Sequence, residues 1–291
     1  MKRLGIFLLA LLCTSSALLT ACSSPDDAQV TATDSTVISD TPQSQEPETT
    51  TEKETTKVET TTAKTTPAAT TKAPEPKPVS RVNPKDPDFF ILYTTGEVDF
   101  TNAPKAYVDI YKWGDEYTPK VYAQMVFKEG DGLYVRMECE ETNPRAENTE
   151  YNSPVYHDSC MEFFCIYKPE LVNNKYINFE MNAASTYLSN YNDRNPGGKT
   201  VAIKDLTDTM PTMESFKTDT TWGINLHVPN DTIDDIYGGE SLTEGSKLLL
   251  NLYKCGDKTE KPHYGSWAEI DNPKPNFHLP QFFCEVEIRK P

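Results

Sequence analysis

Helical periodicity is nearly absent from this 291-residue chain, and that absence argues against a bundle or an alternating α/β fold. No Cys-x-x-Cys pair occurs, so the seven cysteines do not read as a zinc ribbon or a thioredoxin-type redox site. Only four histidines are present, His157, His227, His263 and His278, and none is paired at metal-ligand spacing. No Ser/His/Asp or other nucleophile constellation appears. Basic charge is short as well: from residue 81 onward 21 Lys and Arg face 34 Asp and Glu, a net charge of −13. A surface so acidic argues against nucleic acid and polyanions as natural partners and suits neutral ligands or cations. The one long apolar stretch, Leu4 to Leu12, is too short to span a bilayer.

What that stretch does fit is an address. Lys2 and Arg3 precede it, and Leu19-Thr20-Ala21-Cys22 follows, so residues 1–21 read as a secretory signal. The Leu-Thr-Ala-Cys ending resembles a bacterial lipobox, which implies lipidation at Cys22 and a membrane-anchored protein facing outward. Acylation by several chains makes a stable anchor where a single chain is marginal. Residues 22–80 carry Thr, Pro, Glu, Lys and Ser with almost no apolar clusters. Such a composition cannot offset chain entropy by burial, so a disordered stalk is expected. Fully extended, it would reach roughly 180–200 Å.

Residues 81–291 suffice for one large domain with its own core. Strand follows strand. Val121 to Lys128 and Leu133 to Glu140 flank the turn Glu129-Gly130-Asp131-Gly132. Thr221 to Val228 alternates with Trp222, Ile224, Leu226 and Val228 inward. Lys247 to Cys255 is a buried apolar strand, and Gln281 to Arg289 is the last. Asp231 to Tyr237 has room for one helical turn. The expected fold class is all-β, an antiparallel β-sandwich. Of the cysteines beyond the anchor, Cys139, Cys160, Cys165, Cys255 and Cys284 read mostly as small buried hydrophobes, with room for one or two disulfides.

The stretch Tyr156 to Asn182 organises the rest. Ser159 to Tyr167 and Tyr176 to Ala183 form two arms around PELVNNK. Met161, Phe163 and Cys165 share one face of the first arm; Ile177, Phe179, Met181 and Ala183 share one face of the second. Matching those faces sets Glu162 opposite or diagonal to Glu180. Like charges so placed destabilise a hairpin. A cation, a reaching Lys or Arg, or a hydrogen-bonding ligand would relieve them, unless both are simply solvated. Downstream, GDKTEKPHYGSWAEIDNPKPNFHLP is a long irregular segment, which in a compact domain is more often functional than idle. It carries His263, Tyr264, Trp267, Phe277 and His278. Aromatics interleaved with polar groups suit a sugar, whose C–H faces stack on rings while its hydroxyls take paired donors and acceptors. Trp267 and Phe277 would serve equally to fold the segment onto the sandwich.

The words LYVRMECEETNPR, YHDSCMEFF, YINFEMN, LNLYKCG, HYGSW and NFHLPQFF, in that order, resemble the family 9 carbohydrate-binding modules and their bacterial family 9-like branch among DOMON-like β-sandwiches. The resemblance spans about Tyr122 to Phe283. It implies a distorted jelly-roll-like sandwich, calcium in some members, no catalysis by the module, and plant-wall polysaccharides such as xylan or cellulose, or their reducing ends, as ligands. Secreted glycoside hydrolases are the implied partners. The two stacking Trp of the classical modules fall on Tyr156 and Phe277, a smaller stacking surface. The family's strand carboxylate falls on Glu162, and its polar neighbours on Glu180 and Asn182. The carbohydrate set expected on these grounds is Tyr156, Glu162, Glu180, Asn182, Trp267, Phe277 and His278. No cofactor is required; a calcium ion near Asp158, Glu162 and Glu180 is the alternative occupant. Two other readings stand beside it: a glycosidase using Glu162 and Glu180, and a haem or metal domain drawing on the four histidines.

The anchor reading generates the first prediction. Cys22→Ser should move the protein from the membrane to the soluble fraction on cell fractionation. Wild-type protein already soluble in the medium would overturn the anchor.

Overall fold

The computed structural model describes residues 81–291 apart from Asp115. The expected signal peptide, Cys22 and the stalk to residue 80 lie outside the described residues. Thirteen strands are described. In chain order they are β1 Ile91–Thr94, β2 Ala106–Val108, β3 Val121–Lys128, β4 Gly132–Cys139, β5 Cys160–Ile166, β6 Lys175–Asn182 and β7 Tyr187–Asp193. There follow β8 Thr200–Ala202, β9 Thr212–Lys217, β10 Trp222–Pro229, β11 Lys247–Cys255, β12 Tyr264–Ser266 and β13 Cys284–Arg289. One short helix, α1 Asn230–Tyr237, follows β10 and is a turn longer than expected.

The strands form one curled sheet in the order β8-β7-β6-β5-β11-β13-β1-β3-β4-β10-β9, with β12 added to β11 and β2 to β3. The expected all-β sandwich is what forms, and its two arms, β8-β7-β6-β5-β11-β13 and β3-β4-β10-β9, are each antiparallel within themselves. β1 runs parallel to β13 on one side and to β3 on the other, which makes the sheet mixed. Alternation reveals which face a strand buries; it carries no information on which strand lies beside it or in which direction. A four-residue strand such as β1 offers too little pattern even for that.

Curling brings the inner faces of the two arms together as a sandwich. Met161, Phe163 and Cys165 of β5, and Ile177, Phe179 and Met181 of β6, join one buried core with Met125, Val135 and Met137 of β3 and β4. Trp222, Ile224, Leu226 and Val228 enter it from β10 as their alternation requires. The β3–β4 turn holds Gly130 at φ +74°, a conformation that costs side-chain-bearing residues. At Gly132 a Cβ would come within 2.3 Å of the Val228 carbonyl oxygen, so β10 can approach only a glycine there. The last strand begins at Cys284 instead of Gln281, because Pro280–Phe282 forms a 3-10 turn with Pro280 opening it. All five cysteines of the described domain are free and buried.

A polar tie runs through this interior. Lys254 is fully buried, and its ammonium donates to Ser159 Oγ at 2.9 Å, to the Cys255 carbonyl at 3.0 Å and to His263 Nε2 at 2.7 Å. Ser159 in turn donates to Glu141, which also accepts Trp222 Nε1–H at 2.9 Å. Burial pushes the Glu141 carboxyl up, but Lys254, Ser159 and Trp222 outweigh it and hold the group below the ordinary carboxylate range. Burial and the same ammonium push His263 down to about 4, so near neutral pH its Nε2 accepts. The tie joins Glu141, just after β4, and Trp222 of β10 to Ser159, just before β5, and Lys254 of β11. Lys254→Met would remove the cation that holds Glu141 down and leave Ser159 and His263 without the ammonium they accept from, a loss of about 1–3 kcal/mol. Denaturant unfolding should show that loss; an unchanged midpoint would mean that the tie does not contribute.

Candidate functional site

The alternation that sends Met161 and Phe163 inward sends Cys160, Glu162 and Phe164 to the other face of β5. The same holds for Tyr176, Asn178, Glu180 and Asn182 on β6, and for Leu249, Tyr253 and Cys255 on β11. This outer face would be wet if nothing covered it. The segment after β11 folds back over it: Ile270, Phe277 and Phe283 complete a second buried cluster with Phe164, Tyr176 and Tyr253. Phe277 lies flat on Tyr253, ring centroids 4.2 Å apart and planes 5° apart.

The cover is incomplete, and a cavity of about 340 Å³ remains. Its walls are Tyr156, Tyr264, Phe277 and Pro275, with Asp257, Asn276 and His278 beside them. Glu162, Glu180 and Cys255 also line it, and each is at least 96% buried. Glu162 and Glu180 are direct cross-strand partners. No lysine or arginine is hydrogen-bonded or ion-paired to either within the described residues. Glu162 accepts only the Cys255 thiol, at 2.9 Å. Glu180 accepts from Asn178 Nδ2 at 2.8 Å; Asn178 is held by Asn192, whose Nδ2 donates to its Oδ1 at 2.7 Å. His278 Nδ1 pairs with the Tyr176 hydroxyl at 2.7 Å, and that hydroxyl accepts from Arg194 Nε at 3.2 Å. Burial, then Arg194, push His278 down to about 4, so it is neutral at pH 7. Burial, then Cys255 and Glu180, push Glu162 well above the carboxylate range. Burial raises Glu180 to about 7, Asn178 opposing and Asp257 adding to the rise. The site therefore holds carboxyls that can both donate and accept near neutral pH, beside aromatic planes.

Of the expected residues, Tyr156, Glu162, Glu180, Phe277 and His278 meet in this cavity. Three others do not. Trp267 packs in the central core against Phe89 and donates its indole N–H to Asp86 Oδ2 at 2.6 Å. It stands three residues beyond Tyr264, so strand parity turns the two to opposite faces. Asn182 shares the outer face but not the cavity: its Nδ2 donates to the Asn148 carbonyl at 2.7 Å and to Asp158 at 2.9 Å. Asp158 is fully buried, accepts from the Asn148 backbone and side chain, and lies 3.2 Å from Arg145 Nε. Its charge is already matched, and it fixes the loop that carries Tyr156. The expected calcium set of Asp158, Glu162 and Glu180 therefore does not fit: Asp158 is spent elsewhere, and what adjoins Glu162 is sulfur, a poor calcium ligand. The four histidines hold separate partners and form no joint ligand set: His227 stacks on Tyr134, His263 bonds Lys254, His278 bonds Tyr176, and His157 packs on Tyr156.

The pattern described as carbohydrate-binding family 9 matches residues 94–288, from β1 to β13. The chain belongs to that family. Among solved structures, this family 9 chain is similar to a protein from Bacteroides uniformis ATCC 8492 assigned to carbohydrate binding, at 25% identity and a TM-score of 0.53, over 64% of this chain and 87% of that one. It also aligns with a family 9 module from Caldicellulosiruptor kristjanssonii in complex with cellotriose, at 10% identity and a TM-score of 0.48, over 70% and 94% of the two chains. The glucose complex of a family 9 module from that organism aligns at 12% identity with the same score, over 70% and 96%. No curated protein matches.

Sequence reasoning did not assign Cys255, Asp257, Pro275 or Asn276 to the family 9 chain's cavity, and it named Tyr264 only within the irregular segment. The alternation of β11 was signal enough for Cys255. The others depend on how the segment folds back, which no local pattern encodes.

The raised carboxyls have a measurable consequence. Unfolded, both ionise near 4.5; folded, they keep their protons to higher pH. Their contribution to stability is complete below about 4.5 and is lost as pH rises through about 7 and beyond. The melting temperature should therefore fall between pH 5 and pH 8, and Glu162→Gln should flatten that slope. A slope identical in wild type and variant would mean that the pair is not the titrating group.

Proposed function

We propose that this chain is a non-catalytic carbohydrate-binding module whose cavity takes the end of a neutral plant-wall polysaccharide such as xylan or cellulose. We infer that it acts at the cell surface, held by a lipid at Cys22, alongside secreted glycoside hydrolases. One observation carries the reading: aromatic planes from two distant segments, Tyr156 from one and Tyr264 and Phe277 from the other, share a single cavity with Glu162 and Glu180. Family membership and the acidic net charge agree with it. A pocket of about 340 Å³ has room for only one or two sugar rings, which suits a chain end.

A glycosidase reading has less support. Hydrolysis needs one carboxyl kept as acid and another kept ionised, flanking the bond to be cut. Here burial raises both, and they sit side by side on adjacent strands instead of facing each other across the cavity.

Each stacked ring would contribute on the order of 1 kcal/mol, and each carboxyl–hydroxyl bond a similar amount. Micromolar to millimolar affinity follows once lost motional freedom is included. Calorimetry with xylo- and cello-oligosaccharides should give such binding. Tyr156→Ala and Tyr264→Ala should each weaken it about tenfold or more at unchanged melting temperature, while exposed Tyr107→Ala leaves it intact. Equal affinity in all four proteins would remove the cavity as the sugar site.

A further inference from the structure

The floor of the cavity contains an arrangement that sugar recognition does not need. Cys160 and Cys255 are direct cross-strand partners on β5 and β11, and Glu162 lies two residues along β5 on the same face. One ligand atom from each of the three lies within 4.8 Å of the others. All three side chains are at least 98% buried. Their present partners are mostly one another: the two thiols are hydrogen-bonded together, and Cys255 meets Glu162. The Cys160 thiol reaches the Met161 carbonyl at 3.8 Å, and the Cys255 thiol meets the Tyr156 carbonyl at 3.7 Å and Glu162 at 2.9 Å. Glu162, aimed into the cavity, takes no N–H or O–H donor from the described residues. Lys254 adjoins Cys255 in sequence, but its ammonium is committed to Ser159 and His263.

We propose that Cys160, Cys255 and Glu162 bind a thiophilic divalent cation of the zinc class. The donor set decides the class: two sulfurs and one oxygen suit zinc or cobalt and disfavour calcium and magnesium. The spacing agrees. Metal–sulfur bonds of about 2.3 Å and metal–oxygen bonds of about 2.0 Å at tetrahedral angles separate donors by roughly 3.4–3.8 Å. The three donor atoms lie within 4.8 Å of one another, with Cys255 Sγ 2.9 Å from Glu162, so small side-chain shifts reach that spacing, and binding releases the protons of both thiols and of Glu162 to solvent. Three protein ligands leave the fourth position open toward the cavity, where Glu180 or a bound molecule could reach it. Strands β5 and β11 lie inside the sheet with a neighbour on each side, so the ligands sit on a stiff frame. This inference is independent of the sugar reading, because the cation is tested without any sugar.

The test uses the full chain, reduced and freed of metal by chelation, then titrated with cobalt(II). The expected result is one equivalent bound with a thiolate-to-cobalt absorption band in the near ultraviolet. Zinc should displace the band and a large excess of calcium should not. Cys160→Ser and Cys255→Ser should each abolish or strongly reduce it, Glu162→Gln should weaken cobalt binding at least tenfold, and Cys284→Ser should leave it. If one cysteine variant fails to fold, the other and Glu162→Gln decide. A reduced wild-type chain with no thiolate band overturns the proposal. So does a band that survives all three substitutions, or a Cys160–Cys255 disulfide whose reduction yields no cobalt binding. Sugar calorimetry on the metal-free chain reports separately on carbohydrate.

Discussion

Two-residue alternation along β5 is the constraint from which both halves of this domain follow. The strand lies between β6 and β11, and every one of its residues is buried, so both of its faces are covered. One face, Met161, Phe163 and Cys165, closes the central core. The other places a carboxyl at position 162, and β6 pairs it with the carboxyl of Glu180. A one-residue slip of β5 would carry Glu162 into the core and Phe163 out of it, so the register is held firmly. The buried carboxyl pair is the local consequence of a globally favourable register.

Half-buried Glu141 and fully buried Glu162 and Glu180 are handled in two different ways. On the core side, Glu141 is matched by Lys254, Ser159 and Trp222 and stays below the ordinary carboxylate range. On the outer side, Glu162 and Glu180 have no cation and are driven upward. A matched carboxylate is cement; an unmatched one costs stability and leaves hydrogen-bonding capacity for something else. That contrast separates the structural network from the functional site more clearly than residue type, since both contain glutamate, histidine and aromatic side chains.

The irregular segment between β11 and β13 converts an outer sheet face into a cavity. Phe277 is only 8% exposed and is flattened on Tyr253, so it supplies a wall more than an open platform. Tyr156 and Tyr264 are less buried and carry more of the available aromatic surface. Tyr156 stands where it does because Asp158 holds its loop through Asn148, Asn182 and Arg145. Asp158 and Asn182 thus hold the loop beside the cavity and do not line it.

Much of the domain was legible in its residues. Strand faces, the β3–β4 hairpin, the inward row of β10 and the opposition of Glu162 and Glu180 all follow from side-chain alternation and turn chemistry, which are local and so visible in a linear string. Tyr156 and Phe277 were found through family resemblance and reach the same cavity. The parallel insertion of β1, the inward turn of Trp267, the commitment of Asp158 and Asn182 to a loop, and the meeting of Cys160 with Cys255 needed the tertiary structure. Each depends on which distant segment lies alongside, and that choice is made by the packing of the whole core, which no short stretch of sequence records.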